Sequence, residues 1–145
     1  MSNVRRRERR QQSTLPTSNA KRMSIEPTSL ELAVIAWLAE NASSAELREQ
    51  LKEALVTGRE FSGAGSYTEV TASLHAPPLP GSVSLLGEDG PIEGPEVQSY
   101  ELPTGACTLL WLSERRVCTL EIAGSGIVEG HPAQFRLSSP PNADA

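Results

Sequence analysis

Residues 106–123 read ACTLLWLSERRVCTLEIA. Two runs rich in Leu, Val, Ile, Thr, Trp and Cys flank the polar Ser113-Glu114-Arg115-Arg116, a pattern that specifies a β-hairpin. With a two-residue loop at Glu114-Arg115, Trp111 faces Cys118, Leu109 faces Leu120 and Cys107 faces Ile122. Side chains alternate across a strand, so these six share one wholly apolar face, expected to point inward. The other face sets Thr108 against Glu121, Leu110 against Thr119 and Leu112 against Val117, and is mixed. A one-residue slip would exchange the two faces, so burial is what pins the register. Burying one Leu or Ile contributes about 1.5–3 kcal/mol. A lone hairpin is marginal in water, so this one is expected at the centre of a larger sheet.

Upstream of the hairpin the pattern changes to helical spacing. Thr28-Ser29-Leu30-Glu31 fits a capping box after Pro27, and Leu30, Val34, Trp37 and Leu38, with Ile35, recur on one helical face to about Asn41. Ser43-Ser44-Ala45-Glu46 restarts the pattern as a second capping box. Leu47, Leu51, Ala54 and Leu55 mark the face of the second helix, with Gly58 as its stop. The short link predicts a helical hairpin.

Phe61-Ser62-Gly63-Ala64-Gly65 then reads as a turn from helix into sheet. As a phosphate-cradling glycine loop it is weak, with neither Lys-Ser/Thr nor a helix after it. Residues 66–74 alternate as a strand, with Tyr67, Glu69 and Thr71 on one side and Val70, Ala72 and Leu74 on the other. HAPPLPG at 75–81 ends it. A short strand is expected at 83–86, an acidic loop at 87–95, a strand at 97–102 stopped by Pro103, and an edge segment at 134–137. Helices first and strands later predict an α+β fold, with an N-terminal helical hairpin packed on a mostly antiparallel sheet centred on the C-terminal hairpin. The expected organisation is a basic, disordered tail at 1–27, a single domain at 28–137 and a disordered tail at 138–145.

The 145 residues carry a net charge of −5, unevenly spread. Residues 1–22 hold Arg5, Arg6, Arg7, Arg9, Arg10, Lys21 and Arg22 against Glu8 alone; the remainder holds 6 basic and 17 acidic side chains, a net −11. Such a body disfavours a nucleic-acid surface, which needs a basic patch, and favours a basic protein partner. RRRERR reads either as an arm for nucleic acid or a membrane surface, or as sequence ahead of a start at Met23.

No apolar h-region follows the arginines, and no apolar run approaches membrane-spanning length, so a cytoplasmic setting without membrane contact is expected. Cys107 and Cys118 lie four residues apart along the predicted ladder, about 13 Å at the strand rise. A disulfide needs Cα atoms within about 7 Å. Both are expected as small buried hydrophobes in a reducing compartment.

The chemistry-bearing residues form no motif. His75 and His131 are the only histidines, each beside turn formers, and no zinc-ligand spacing surrounds them. GAGSY contains a serine but not the G-x-S-x-G elbow. Glu69 and Glu121 could face each other across the sheet, although strand glutamates usually face solvent. Glu88-Asp89-Gly90 lacks the alternating carboxylates of a calcium loop. No catalytic, cofactor-binding or metal-binding residue is assigned, and no cofactor is expected.

Residues 47–70, LREQLKEALVTGREFSGAGSYTEV, with residues 109–126, LLWLSERRVCTLEIAGSG, resemble a family of small uncharacterised bacterial proteins. The resemblance rests on Val56, Arg59, Gly63, Gly65, Tyr67, Thr68, Leu120, Glu121 and Ile122, and covers roughly half of the chain. Where the family's hairpin turn carries Gly, this chain carries Arg115-Arg116. The resemblance implies an α+β fold and a bacterial cytoplasmic setting, and no activity.

Three functional readings follow. The first is a non-enzymatic acidic module that binds a basic protein, as immunity proteins do when they neutralise toxins. The second is a small enzyme with a pocket at the helix–strand junction, where Arg59 binds an anion and Tyr67 orients it. The third is nucleic-acid contact through the basic tail. The partner's identity and the oligomeric state are not written in the sequence.

Overall fold

The structure, a computed structural model, describes residues 24–80 and 91–141. Thr28 caps helix α1 (Ser29–Glu40): its hydroxyl accepts from the Glu31 amide while the Glu31 carboxylate accepts from the Thr28 amide, the reciprocal box expected there. Helix α2 (Ala45–Lys52) starts one residue later than expected, with Ser44 as its cap accepting from Leu47, so Ser43 and Glu46 form no box. Leu30, Val34 and Leu38 of α1 and Leu47 and Leu51 of α2 are buried, and Ile35 and Trp37 pack against them half-buried.

Helix α2 ends at Lys52, and the expected helical residues 55–58 are instead the start of strand β1 (Leu55–Phe61). The β-branched Val56-Thr57 and the aromatic Phe61 favour extended backbone, and a partner lies just beyond a tight turn. That partner is β2 (Gly65–Thr71), paired antiparallel from Leu55↔Thr71 to Phe61↔Ser66 with an irregularity between Val56 and Gly58. Ser62-Gly63-Ala64 is therefore a hairpin turn within the sheet, with Gly63 at φ 90°.

The remaining strands are β3 (Ile92–Glu93), β4 (Glu96–Ser99), β5 (Leu102–Ser113), β6 (Arg116–Ala123) and β7 (Arg136–Ser138). The expected strand at 83–86 and residues 87–90 of the acidic loop lie outside the described residues, and the rest of that loop, expected without a strand, contains β3. Pro103 does not stop a strand: it is the second residue of β5. The order across the sheet is β1-β2-β6-β5-β4-β7, with β3 also on β5, and every pair is antiparallel. The α+β architecture, two helices on an antiparallel sheet centred on the late hairpin, is the one expected.

The register within that hairpin is not. The loop is at Glu114-Arg115, and Ser113↔Arg116 and Leu112↔Val117 pair as expected. Cys118 is then an extra residue in β6, so Trp111 meets Thr119, Leu110 meets Leu120, Leu109 meets Glu121 and Thr108 meets Ile122. The bulge brings Val117, Leu120 and Ile122 onto one face, where all three are buried. From β5 the inward set is Ala106, Thr108, Leu110 and Leu112, the face expected to be mixed; Cys107 is exposed and Leu109 and Trp111 are half-buried on the other side.

Composition explains the inversion. Leu110 and Leu112 bury more hydrocarbon than Cys107, and the inward Thr108 hydroxyl donates to the Pro95 carbonyl at 2.8 Å. Trp111 needs a partner for its ring N–H, and on the outer face it donates to Glu121 Oε1 at 2.9 Å. The cysteines are free, with Cys107 exposed and Cys118 half-buried, which corrects their reading as core residues.

Candidate functional site

Two polar constellations stand out, one beneath the sheet and one on it. The inner one is centred on Glu31, whose side chain is wholly buried. Position N3 of the capping box places it beside the core residue Leu30. Arg59 on β1 grips it with both prongs, Nε to Oε2 at 2.6 Å and Nη2 to Oε1 at 2.7 Å. Thr68 on β2, fully buried, donates to Oε2 at 2.7 Å. A third Arg59 bond runs to the Glu26 carbonyl at 3.0 Å, and Ile25 donates to the Val56 carbonyl, so the chain before α1 is stitched to β1. Burial works to raise the Glu31 pKa. Hydrogen bonds from Arg59, the Thr28 amide and Thr68, with the Arg59 charge, outweigh it and hold the carboxyl below its ordinary range.

His131 closes the cluster from the loop after β6. Its buried ring lies 2.8 Å from the Thr28 hydroxyl through Nδ1 and 2.7 Å from the Ser66 hydroxyl through Nε2, and 5.5 Å centroid to centroid from Phe61. Each hydroxyl can donate or accept, so either neutral tautomer is matched: Thr28 donates to Nδ1 while Nε2–H donates to Ser66, or both directions reverse. A neutral ring thus satisfies both sides. Burial lowers the His131 pKa; the Glu31 charge pulls the other way but less strongly, and the Arg59 charge adds a still smaller lowering.

Ser66, His131 and Glu31 have the chemical types of a nucleophilic triad but not its arrangement. The carboxylate is 3.9 Å from Nδ1, Thr28 occupies the orienting position, and Glu31 is committed to Arg59 and Thr68. Ser66 is wholly buried inside the ladder, where a substrate cannot meet its hydroxyl. The cluster is a cross-link joining α1, β1, β2 and the loop at His131. Sequence reading missed it as a unit because its members are up to 103 residues apart.

The outer constellation follows from the register. One cross-strand row runs Glu60 on β1, Tyr67 on β2, Glu121 on β6, Leu109 on β5 and Glu93 on β3, all on the face away from the helices. Adjacent strands are about 4.8 Å apart, so successive carboxylates along the row stand about 10 Å apart and its two ends about 19 Å, with an apolar or aromatic side chain between each pair of neighbours. Glu69 and Trp111 flank the row, in line through Thr119. Glu60, Tyr67, Glu69 and Glu93 are exposed. Arg116, at the hairpin end of this face, turns toward the Ser73 carbonyl. Glu69 and Glu121 do share a face, but Glu69 pairs with Thr119 and Glu121 with Tyr67.

Arg59 and Tyr67 both border a cleft of about 500 Å³, yet the Arg59 guanidinium is drawn inward to Glu31 while Tyr67 projects outward. His131 is on the inner side with Arg59, and His75 is exposed in the turn after β2. A larger groove of about 890 Å³ lies between α1, α2 and β1, where Leu32 and Leu55 are exposed. Among the described residues no group of three or more His, Cys, Asp or Glu could hold a metal ion, and no helix is long and apolar enough to cross a membrane. Residues 1–23 of the basic tail lie outside the described residues. Comparison with protein-family models, with curated proteins and with solved structures finds no match.

Proposed function

We propose that this protein is a non-enzymatic binding module that presents the outer face of its sheet to a basic protein partner, in the manner of an immunity protein, within the cytoplasm. The observation that supports this reading is the row Glu60–Tyr67–Glu121–Leu109–Glu93. Carboxylates at about 10 Å intervals offer separate anchor points for Lys or Arg. Tyr67, Leu109 and Trp111 between and beside them supply the flat apolar contact that charge alone lacks. The surplus of acid over the rest of the chain adds long-range attraction for a cationic partner.

The test is capture from the source cell at low salt with the intact protein and with a Glu60→Lys/Glu93→Lys variant, followed by titration of the purified captured protein. A basic protein that binds the intact chain, releases as salt rises, and binds the variant at least tenfold more weakly supports the reading. Binding indifferent to both salt and the two substitutions overturns it.

A further inference from the structure

The acidic row has a basic counterpart in its own chain. We propose that residues 1–22, carrying seven cationic side chains against Glu8 alone, occupy the row intramolecularly, so that an outside basic partner must displace them. This inference rests on the acidic face being a binding surface, and adds that the face is self-masked.

Three observations carry it. The first is where the described chain begins. Ile25 donates to the Val56 carbonyl at 2.9 Å, which places Ser24 at the free edge of β1, the strand that carries Glu60. Lys21 and Arg22 precede that point directly.

The second is reach. From Val56 to Glu60 is about 13 Å along the strand, and from β1 across to β3 about 19 Å. Arg10 stands 14 residues before Ser24, a contour of about 46 Å, and the arginines at 5–9 reach further. The arginine block can therefore lie over all three carboxylates.

The third is charge complementarity. The row holds only Glu60, Glu121 and Glu93 as charged members, and the tail supplies Arg side chains able to bond each carboxylate through two N–H groups. Tethering raises the local concentration of such a segment to the millimolar range, so contacts that are weak one by one still fill the face.

The experiment uses the full chain and a full-length variant in which Arg5, Arg6, Arg7, Arg9, Arg10, Lys21 and Arg22 are all replaced by Gln. Circular dichroism confirms that both are folded. The probe is a synthetic peptide of residues 1–22, titrated at low salt, with poly-lysine as a second probe. The neutralised variant should bind the peptide at least tenfold more tightly than the unaltered chain, and adding Glu60→Lys/Glu93→Lys should abolish that gain. Equal binding by the two proteins, with both taking up poly-lysine, overturns self-masking and leaves the binding face intact. Failure of the neutralised variant to bind either probe overturns the face itself and the masking with it. If the tenfold difference vanishes on dilution, the tail acts between two copies and the intramolecular assignment is wrong.

Discussion

At the scale of single residues, the fold depends on polar side chains that are fully buried and fully partnered. Glu31 makes bonds to Arg59, Thr68 and the Thr28 amide at once. Glu31→Ala would leave a cation and a buried hydroxyl without their acceptor and would remove half of the capping box. Breaking such a pair costs about 3–5 kcal/mol, so urea denaturation should show a loss of that size. Gln50 does similar work in α2. Its amide donates to the Pro77 and Arg115 carbonyls, and its oxygen accepts from the Val117 amide at 2.9 Å. Gln50→Leu would strand those groups at about 1–3 kcal/mol for each one left buried, which the same denaturation curves would report.

The same cluster makes stability depend on pH. The lowered pKa of His131 means that the unfolded chain takes up the proton more readily than the folded one. Stability is therefore complete above the ordinary histidine value of about 6.5 and falls as pH drops from there through the folded value. The lowered Glu31 value has the same sign and adds a second loss that begins below about 4.5. Urea midpoints measured at a series of pH values should fall in these two stages, and His131→Gln should remove the first. A wild-type midpoint flat between about pH 7.5 and 5 would contradict the assignment of a neutral His131. Little of this was legible beforehand. Thr28-Ser29-Leu30-Glu31 announced a cap, but nothing local announced that its glutamate would also receive Arg59 and Thr68, because those contacts exist only once α1 lies on the sheet.

At the scale of elements, the late hairpin is the instructive case. Its loop position was readable from a polar break between two β-rich runs. Its face was not, because both sets of alternate residues in β5 are largely apolar, and the bulge at Cys118 decides the matter. A bulge is selected by the sum of burial on both strands: without it, Val117 and Leu120 could not point the same way. Helix α2 was over-extended for a related reason. Leu51, Ala54 and Leu55 fit a helical stripe, and only the ladder with β2 makes extended backbone the better outcome at residue 55.

The hairpin turn also carries strain. Glu114 and Arg115 both have positive φ, 52° and 66°, the sign pattern of a type I′ turn that favours Asn-Gly. Left-handed backbone costs an ordinary residue roughly 1–2 kcal/mol. Glu114→Asn/Arg115→Gly should therefore raise the melting temperature, since the Arg115 carbonyl that receives Gln50 and Leu79 is retained. By contrast, Gly65→Ala should be severely destabilising. A Cβ there would stand 2.5 Å from the Ile122 carbonyl oxygen, on a central ladder whose backbone cannot retreat.

At the scale of the whole molecule, charge and stability separate. The carboxylates of the outer row are exposed or half-exposed, and among the described residues the Glu60 and Glu93 side chains bond no buried group. Glu60→Lys/Glu93→Lys should therefore change stability by no more than about 0.5 kcal/mol per site while altering binding. Equal melting temperatures beside unequal affinities would separate the two roles.

The sheet's margins bear on the same question. At one margin Ile25 already bonds the outermost strand, and that strand is kinked at Thr57. At the other, β7 is only three residues long and begins at the charged Arg136. Stubby, buckled or charged borders discourage a foreign strand from zipping alongside. On the proposed reading, a partner is thereby refused lateral annexation and meets the broad flank carrying Tyr67 and Trp111 from above.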